Sequence, residues 1–399
     1  MLGSKRRIYL DHASATPVSQ EAQRAMREAE DISGNPGGIH AEGVAALQSL
    51  TQSRESIAAE LGCKPRELIF TSGLTEANNV AILGFAQALD RADGPPAGGL
   101  STTHWIVSSI EHLSVLECFA EIERLGGKVT HVDPMSSGLI DPGHIARAIR
   151  KETVMVSIGW ANSEIGVVQP ISDIARAIRA QEKGHATTIL LHSDAGQAPL
   201  YRAPKVATLG ADLLSLGSGK LYGPRGIGCL FVGRRASLSA LMSGGSQERG
   251  LRPGTEPVAL AAGFAEALRC AGKDRAAEGK RLQTLRNDFA RQLVAHIPGV
   301  VQNGDIKHAL PHVLNVSIPD IDSEYLVLAL DRAGIALSTK AACSEGHRGE
   351  SHVVAALGGD AWRSHNTLRF SFGKATGSRD VRRAVKIVLS VLEGLPERK

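Results

Sequence analysis

From about Leu68 to Val232 the chain alternates short runs rich in Val, Ile, Leu and Thr with stretches of helical period. Short apolar strands separated by helices fold economically in one way, as a largely parallel sheet joined by crossover helices. Seven runs read as its strands: ELIFTSG, HWIVSSIEH, GKVTHVD, TVMVSIGWAN, TTILLHSDAG, ADLLSLGSG and IGCLFVG. Thr75, His112, Asn162, Asp194 and Lys220 each lie just beyond the apolar part of a strand. In open α/β sheets that edge is where ligands collect, so these five are the first candidates for chemistry.

After Val258 the texture changes to an Ala-, Leu-, Arg- and Glu-rich run ending near Ile297, with the period of one long helix or two. Strand-like HVLNVSI, a helix in DSEYLVLALDRAG, the loop STKAACSEGHRGES, strand-like TLRFSFG and a helix from Ser378 to Leu392 follow. At 399 residues the chain exceeds what one core usually supports. The expected division is a large domain over residues 16–257 and a smaller α+β domain made of residues 1–15 and 258–399. The hexamer IARAIR occurs at Ile145–Arg150 and Ile174–Arg179, which reads as two amphipathic crossover helices rather than a repeat array. Arg91–His104 reads as a Pro/Gly-rich surface loop.

Composition removes several classes of function. Aromatics at 4% and a formal charge of +4, from 45 basic and 41 acidic residues, give little basis for nucleic-acid binding. No stretch approaches the roughly 20 apolar residues of a membrane span, and the opening MLGSKRRIYLDHAS lacks a secretory apolar segment. A cytoplasmic protein without membrane contact is expected. The five cysteines are scattered, without the spacing of a disulfide framework or a metal knuckle, and no metal site is expected. Four read as small buried hydrophobes, while Cys343 sits among small residues in a loop.

Lys220 lies in SLGSGKLYGPRGIG, at a strand end among glycines that let the backbone approach a ligand. A phosphate-loop nucleotide site would need Gly and Ser or Thr where Leu214 and Leu221 stand. A partly desolvated lysine suits a Schiff base instead. Asp194 in LLHSDAGQ could keep a pyridine nitrogen protonated. Thr75, after a glycine and before a helical run, could hold a phosphate at a helix N-terminus. Taken singly, each of these residues is equally readable as a solvated turn lysine or a helix cap.

Together with their surroundings they resemble a family, the cysteine desulfurases, pyridoxal 5′-phosphate enzymes of fold type I related to class-V aminotransferases. The resemblance is carried by YLDHASATP (Tyr9 to Pro17), GNPGGIHAEG (Gly34 to Gly43), FTSGLTEANN (Phe70 to Asn79) and SSIEHLSVL (Ser108 to Leu116). It continues through ANSEIGVVQP, SDAGQ, SGKLYGPRGIG, GGSQERGLRPGTEPV, LPHVLNVS, AACSEG and LRFSFG. It implies that Lys220 carries pyridoxal phosphate, that Asp194 pairs with its ring nitrogen and that His112 stacks on the ring and transfers protons. Asn162 and Gln197 would face the phenolic oxygen. Thr75 would grip the phosphate, with Glu76 and Ser218 in the cofactor-binding set and Thr255 reaching in from a second subunit of a homodimer. Arg369 would bind the substrate carboxylate with Asn35 and Asn162 nearby, a task to which an arginine fork is suited.

Two residues of the cofactor loop depart from the family, which usually has Ser and His where Gly217 and Gly219 stand, so cofactor loss is expected to be easier. In the loop Ser338–Glu350, GHRGESHVV replaces the commoner sequence after the cysteine, and Lys340 stands where the family usually has glycine. A lysine there can lower the pKa of Cys343, the thiolate being the nucleophile. The implied reaction converts L-cysteine to L-alanine and leaves the sulfur on Cys343 as a persulfide for an acceptor protein. Iron–sulfur cluster assembly, tRNA thiolation, DNA sulfur modification and cofactor biosynthesis all draw on such persulfides. The rival readings are a selenocysteine lyase or another class-V aminotransferase-like enzyme, and a weakly active sulfur-relay scaffold.

Overall fold

The computed structural model describes residues 7–91, 99–339 and 349–394. In chain order their strands are β1 (Ile8–Tyr9), β2 (Leu68–Thr71), β3 (His104–Ser108), β4 (Lys128–Val132), β5 (Thr153–Ser157) and β6 (Leu190–Asp194). The rest are β7 (Leu213–Gly217), β8 (Gly228–Val232), β9 (Val301–Gln302), β10 (Val313–Ser317), β11 (Ile335–Ala336) and β12 (Thr367–Ser371). The seven runs read from the sequence all form strands, and they join in one sheet of order β2-β8-β7-β6-β5-β3-β4. Only β8 runs antiparallel to its neighbours. Strands covered on both faces need apolar residues throughout, which is why LIFT, HWIVS and LLSLG are buried along their whole length. The edge strand β4 instead exposes Lys128 and His131, charged or polar groups that discourage pairing with another sheet.

Both copies of IARAIR enter crossover helices, with Ile145 and Ile149 buried from the first copy and Ile174 and Ile178 from the second. The first helix, Pro142–Ala148, ends inside its hexamer, so the last two residues leave the helix.

The run after Val258 is one helix, Val258–His296, of 39 residues and about 58 Å at the usual rise. Its first half contributes Ala261, Phe264 and Leu268 to the core beneath the large sheet. Its second half contributes Leu282, Phe289 and Leu293 to a separate core. That second core is closed by the antiparallel sheet β12-β10-β9 and by the parallel pair β1-β11, which ties the start of the chain to its far end. Among the described residues no helix is long and apolar enough to cross a membrane.

Candidate functional site

At the carboxyl edge of the large sheet one pocket gathers His112, Asn162, Asp194, Gln197 and Lys220. The parallel topology explains the convergence: β3, β5, β6 and β7 point the same way, Asp194 ends β6, and the turns after β3, β5 and β7 carry His112, Asn162 and Lys220. Lys220 closes the short helical turn Ser218–Lys220 directly after β7 and is half-buried.

Asp194 is held on both oxygens. Its Oδ1 accepts from the Gly196 N–H at 2.8 Å and its Oδ2 from Asn78 Nδ2 at 2.8 Å. Asn78 is fully buried on the helix Leu74–Arg91, and its Nδ2 also donates to Ser114 Oγ at 2.9 Å. Ser114 Oγ lies 2.8 Å from His112 Nδ1, which also accepts the Ser114 N–H at 3.1 Å. His112 is thus the cap of the helix Leu113–Arg124 and uses its Nδ1 lone pair to be so. The neutral ring must then carry its proton on Nε2. Burial, and next the positive charge of Lys220, push its pKa down to about 4, so it stays neutral at pH 7. One hydrogen-bonded chain therefore runs from Asp194 through Asn78 and Ser114 to His112.

Neither Asn78 nor Ser114 was singled out from sequence, although both lie inside the blocks FTSGLTEANN and SSIEHLSVL. Glu111, next to His112, also lines the pocket unforeseen. Both of its oxygens accept the Gly159 N–H at 2.9 Å, and burial pushes its carboxyl up to about 8. Its backbone oxygen lies 3.1 Å from Nε2 of His352, a second imidazole in the pocket wall.

Asn162 and Gln197 reach the pocket already partnered. Asn162 donates to Ile110 O and accepts from the N–H groups of Glu164 and Ile165. Gln197 donates to Ala13 O at 2.8 Å. Thr75 lies just outside, exposed in the first turn of its helix beside the pocket residue Leu74. The helical ladder begins with the Ala77 N–H to Gly73 O, so the N–H groups of Leu74, Thr75 and Glu76 point past the helix start, as an anion requires. The Glu76 side chain turns away, accepting the Ser72 N–H and pairing with Arg252.

Other expected residues are not gathered into the pocket. Ser218 is fully buried, and its Oγ has no partner among the described residues and points where a Cβ on Gly223 would stand. Asn35 and Thr255 are exposed and do not line the pocket. Arg369, on β12, lies behind the pocket residue Ser163, whose carbonyl accepts from its Nη1 at 3.1 Å. Cys343 and Lys340 lie outside the described residues. Of the described residues on either side, Ser338 pairs with Arg369 behind the pocket, and Ser351 donates to the pocket residue Glu164 at 2.6 Å.

The departure at Gly217 has a steric cause. A Cβ there would stand 2.9 Å from the Leu74 Cβ, and one on Gly196 would stand 2.4 Å from Leu74 Cδ2. Leu74 fills the space that side chains at 196 and 217 would take. At Gly219 the nearest atom, Arg225 Cγ, is 3.4 Å away, and nothing comparable excludes a side chain.

The family profile described as "Aminotransferase class-V" matches residues 8–384. The chain belongs to this class-V aminotransferase family and, within it, to the cysteine desulfurases, enzymes that depend on pyridoxal phosphate. It is 35% identical over 392 residues to the cysteine desulfurase IscS of Dictyoglomus turgidum, covering 98% of this chain and 96% of that one. A solved NifS-like protein superposes with a TM-score of 0.89 at 28% identity, over 98% of this chain and all of the other. A structure titled SspA in complex with cysteine matches at TM-score 0.78 and 32% identity, over 92% and 98% of the two chains. The fold expected from sequence, α/β of fold type I with a mostly parallel seven-stranded sheet, is the fold observed, and a separate small antiparallel sheet accompanies it.

Proposed function

We propose that the protein converts L-cysteine to L-alanine and retains the sulfur on Cys343 as a persulfide, for transfer to an acceptor protein. The observation that carries this reading is the pocket in which Lys220, Asp194 and the neutral His112 converge, with Ser351, downstream of Cys343, bonded to Glu164 in its wall. The residues fit pyridoxal phosphate. Lys220 would bind it, Asp194, fixed by two donors, would face the ring nitrogen, and the N–H groups at the start of Leu74–Arg91 would take the phosphate. When bound, that cofactor supplies an electron sink for charge developing on the substrate carbon.

The chain's own groups do the rest. The Lys220 amine takes the Cα proton, and the Nε2–H of His112 offers a donor that cannot be lost to the cap on its other nitrogen. The Cys343 thiolate attacks the substrate sulfur. The carbon–sulfur bond breaks, a sulfur–sulfur bond forms, and the carbon takes a proton to leave as L-alanine, with no outside oxidant or reductant. Arg369 is the arm for the substrate carboxylate. The other four cysteines do not compete as nucleophiles, because burial pushes Cys63 and Cys118 up to about 12 and raises Cys229 and Cys270 as well.

In this reading residues 16–257 form the cofactor domain, residues 1–15 and 258–399 form the smaller one, and the protein works in the cytoplasm. It acts as a homodimer in which Thr255 of a second copy completes the phosphate site. Exposed apolar side chains support the pairing: Ile39 is 99% exposed, and Val44 and Leu47 lie one turn apart on the helix Ala41–Leu61. The test is Cys343→Ser, which should abolish persulfide and sulfide formation from L-cysteine while the visible absorption of the bound cofactor stays. Undiminished alanine and sulfide production by that variant would remove Cys343 from the reaction.

A further inference from the structure

The segment Asp11–Thr16 threads between the two halves of the site and bonds to both. Thr16 donates through its N–H and its hydroxyl to the carbonyl of Gly219, beside Lys220, and the Tyr222 N–H returns a bond to Thr16 Oγ1 at 2.8 Å. Ala13 O receives Gln197, and the Ala13 N–H donates to Ser371 Oγ on β12. Asp11 Oδ1 and Ser14 Oγ both accept from Arg369 Nη2, Asp11 at 2.9 Å, and Ser14 Oγ also donates to Asp11 Oδ1 at 2.9 Å. The ion pair is buried, with 1% of the Arg369 side chain and 17% of the Asp11 side chain exposed.

A guanidinium has five N–H donors in a rigid fork, and Asp11, Ser14 and Ser163 take three of them. The Nε–H is buried and has no partner among the described residues. An unmet donor on a buried cation is costly, and a ligand carboxylate that reached the fork would relieve it. Asp11 binds Nη2 and leaves Nε open. It neutralises part of the charge and fixes the plane of the fork without closing it.

We infer that Asp11, with Ser14, is a positioning residue that sets the Arg369 guanidinium for the carboxylate of the amino-acid substrate. The inference rests on the reading of Arg369 as the carboxylate arm. It makes the chain's beginning part of the substrate site, through a segment that also grips the loop of Lys220.

The experiment uses the holoenzyme. KM and kcat are measured with L-cysteine, and binding of L-alanine and of cysteamine, an aminothiol without a carboxylate, is followed by the change in visible absorption. In Asp11→Asn the KM for L-cysteine and the half-saturation for L-alanine rise about tenfold, the loss falls on KM rather than kcat, and cysteamine binding does not follow. Ser14→Ala, which removes a neutral partner from the same Nη2, gives a rise of about threefold and reads the same effect if Asp11→Asn does not fold. Arg369→Lys separates the two levels. If it weakens L-cysteine and L-alanine binding while Asp11→Asn does not, Arg369 keeps its role and the inference is overturned. If Arg369→Lys changes neither, the carboxylate arm itself is wrong and the inference goes with it. Equal weakening toward cysteamine and L-alanine in Asp11→Asn would make Asp11 a general support and overturn its assigned role.

Discussion

The cofactor side and the substrate side of this site are assembled differently. On the cofactor side, His112, Asn162, Asp194 and Lys220 come from the ends of four strands and the turns after them at one edge of one sheet, and the sheet's direction alone brings them together. On the substrate side, Arg369 meets Asp11 across 358 residues of chain, through β12 and the pairing of β1 with β11. The first side is a property of topology, and the second depends on the two ends of the chain closing on each other. In the proposed reading, chemistry that needs fixed protonation states falls to the first side, and the grip on the substrate carboxylate to the second.

Replacing Asp194 with Asn breaks the first side at its charge while keeping its shape. The carbonyl oxygen of the new side chain can still accept from Asn78, while its amide nitrogen loses the bond from the Gly196 N–H, so the protein folds with somewhat reduced stability. We expect kcat to fall about 10²-fold or more, as for loss of one preorganised charge contact, with L-alanine half-saturation little changed. A variant weakened chiefly in L-alanine binding would show that the two sides are not separable in this way.

Protonation sharpens the contrast next. Burial keeps the Glu111 carboxyl protonated up to about pH 8, while an unfolded chain releases that proton near its usual value of about 4.5. The folded pKa is the higher one, so the stability this group contributes is full below about 4.5 and is lost as pH rises through about 8. The loss reaches about 1.4 kcal/mol per pH unit inside that window. His112 has the opposite sign: its folded value of about 4 lies below the unfolded value of 6.5, so its contribution is full above 6.5 and is lost as pH falls toward 4. Unfolding of Glu111→Gln should therefore lose the downward slope between pH 5 and 8 that the parent shows. Identical slopes would mean that Glu111 is ionised in the folded protein.

The smallest effect concerns the glycine at 217. Gly217→Ser alone should destabilise the protein, because its Cβ meets the Leu74 Cβ, and the same change in a Leu74→Ala background should be tolerated. The coupling between the two sites in a double-mutant cycle of thermal unfolding should be about 1 kcal/mol. Strict additivity would show that Leu74 does not dictate the glycine.

The same division governs what could be read from sequence. Strand ends were legible because apolar runs announce a parallel sheet and a parallel sheet collects its loops at one edge, which is how Asp194 and Lys220 stood out. Asn78 and Ser114 were not legible as partners, since nothing in sequence says that residues of two helices, 36 apart, will share a hydrogen bond. Glu111 was hidden for a related reason, because its chemistry comes from burial against Gly159, which spacing does not reveal. Asp11 lay inside YLDHASATP, a block that carried the family resemblance without showing what the carboxylate touches. The glycine at 217 looked like a lost contact until Leu74 was seen in its space.

The central claim is that sulfur passes from L-cysteine to Cys343 in a pocket built around Lys220. Mass spectrometry of the holoenzyme after reaction with one equivalent of L-cysteine tests it most directly. One added sulfur atom on the peptide containing Cys343, formed together with one equivalent of L-alanine and absent from Cys343→Ser, is the predicted result. L-alanine formed with the sulfur on another cysteine, or with none retained on the protein, would contradict it.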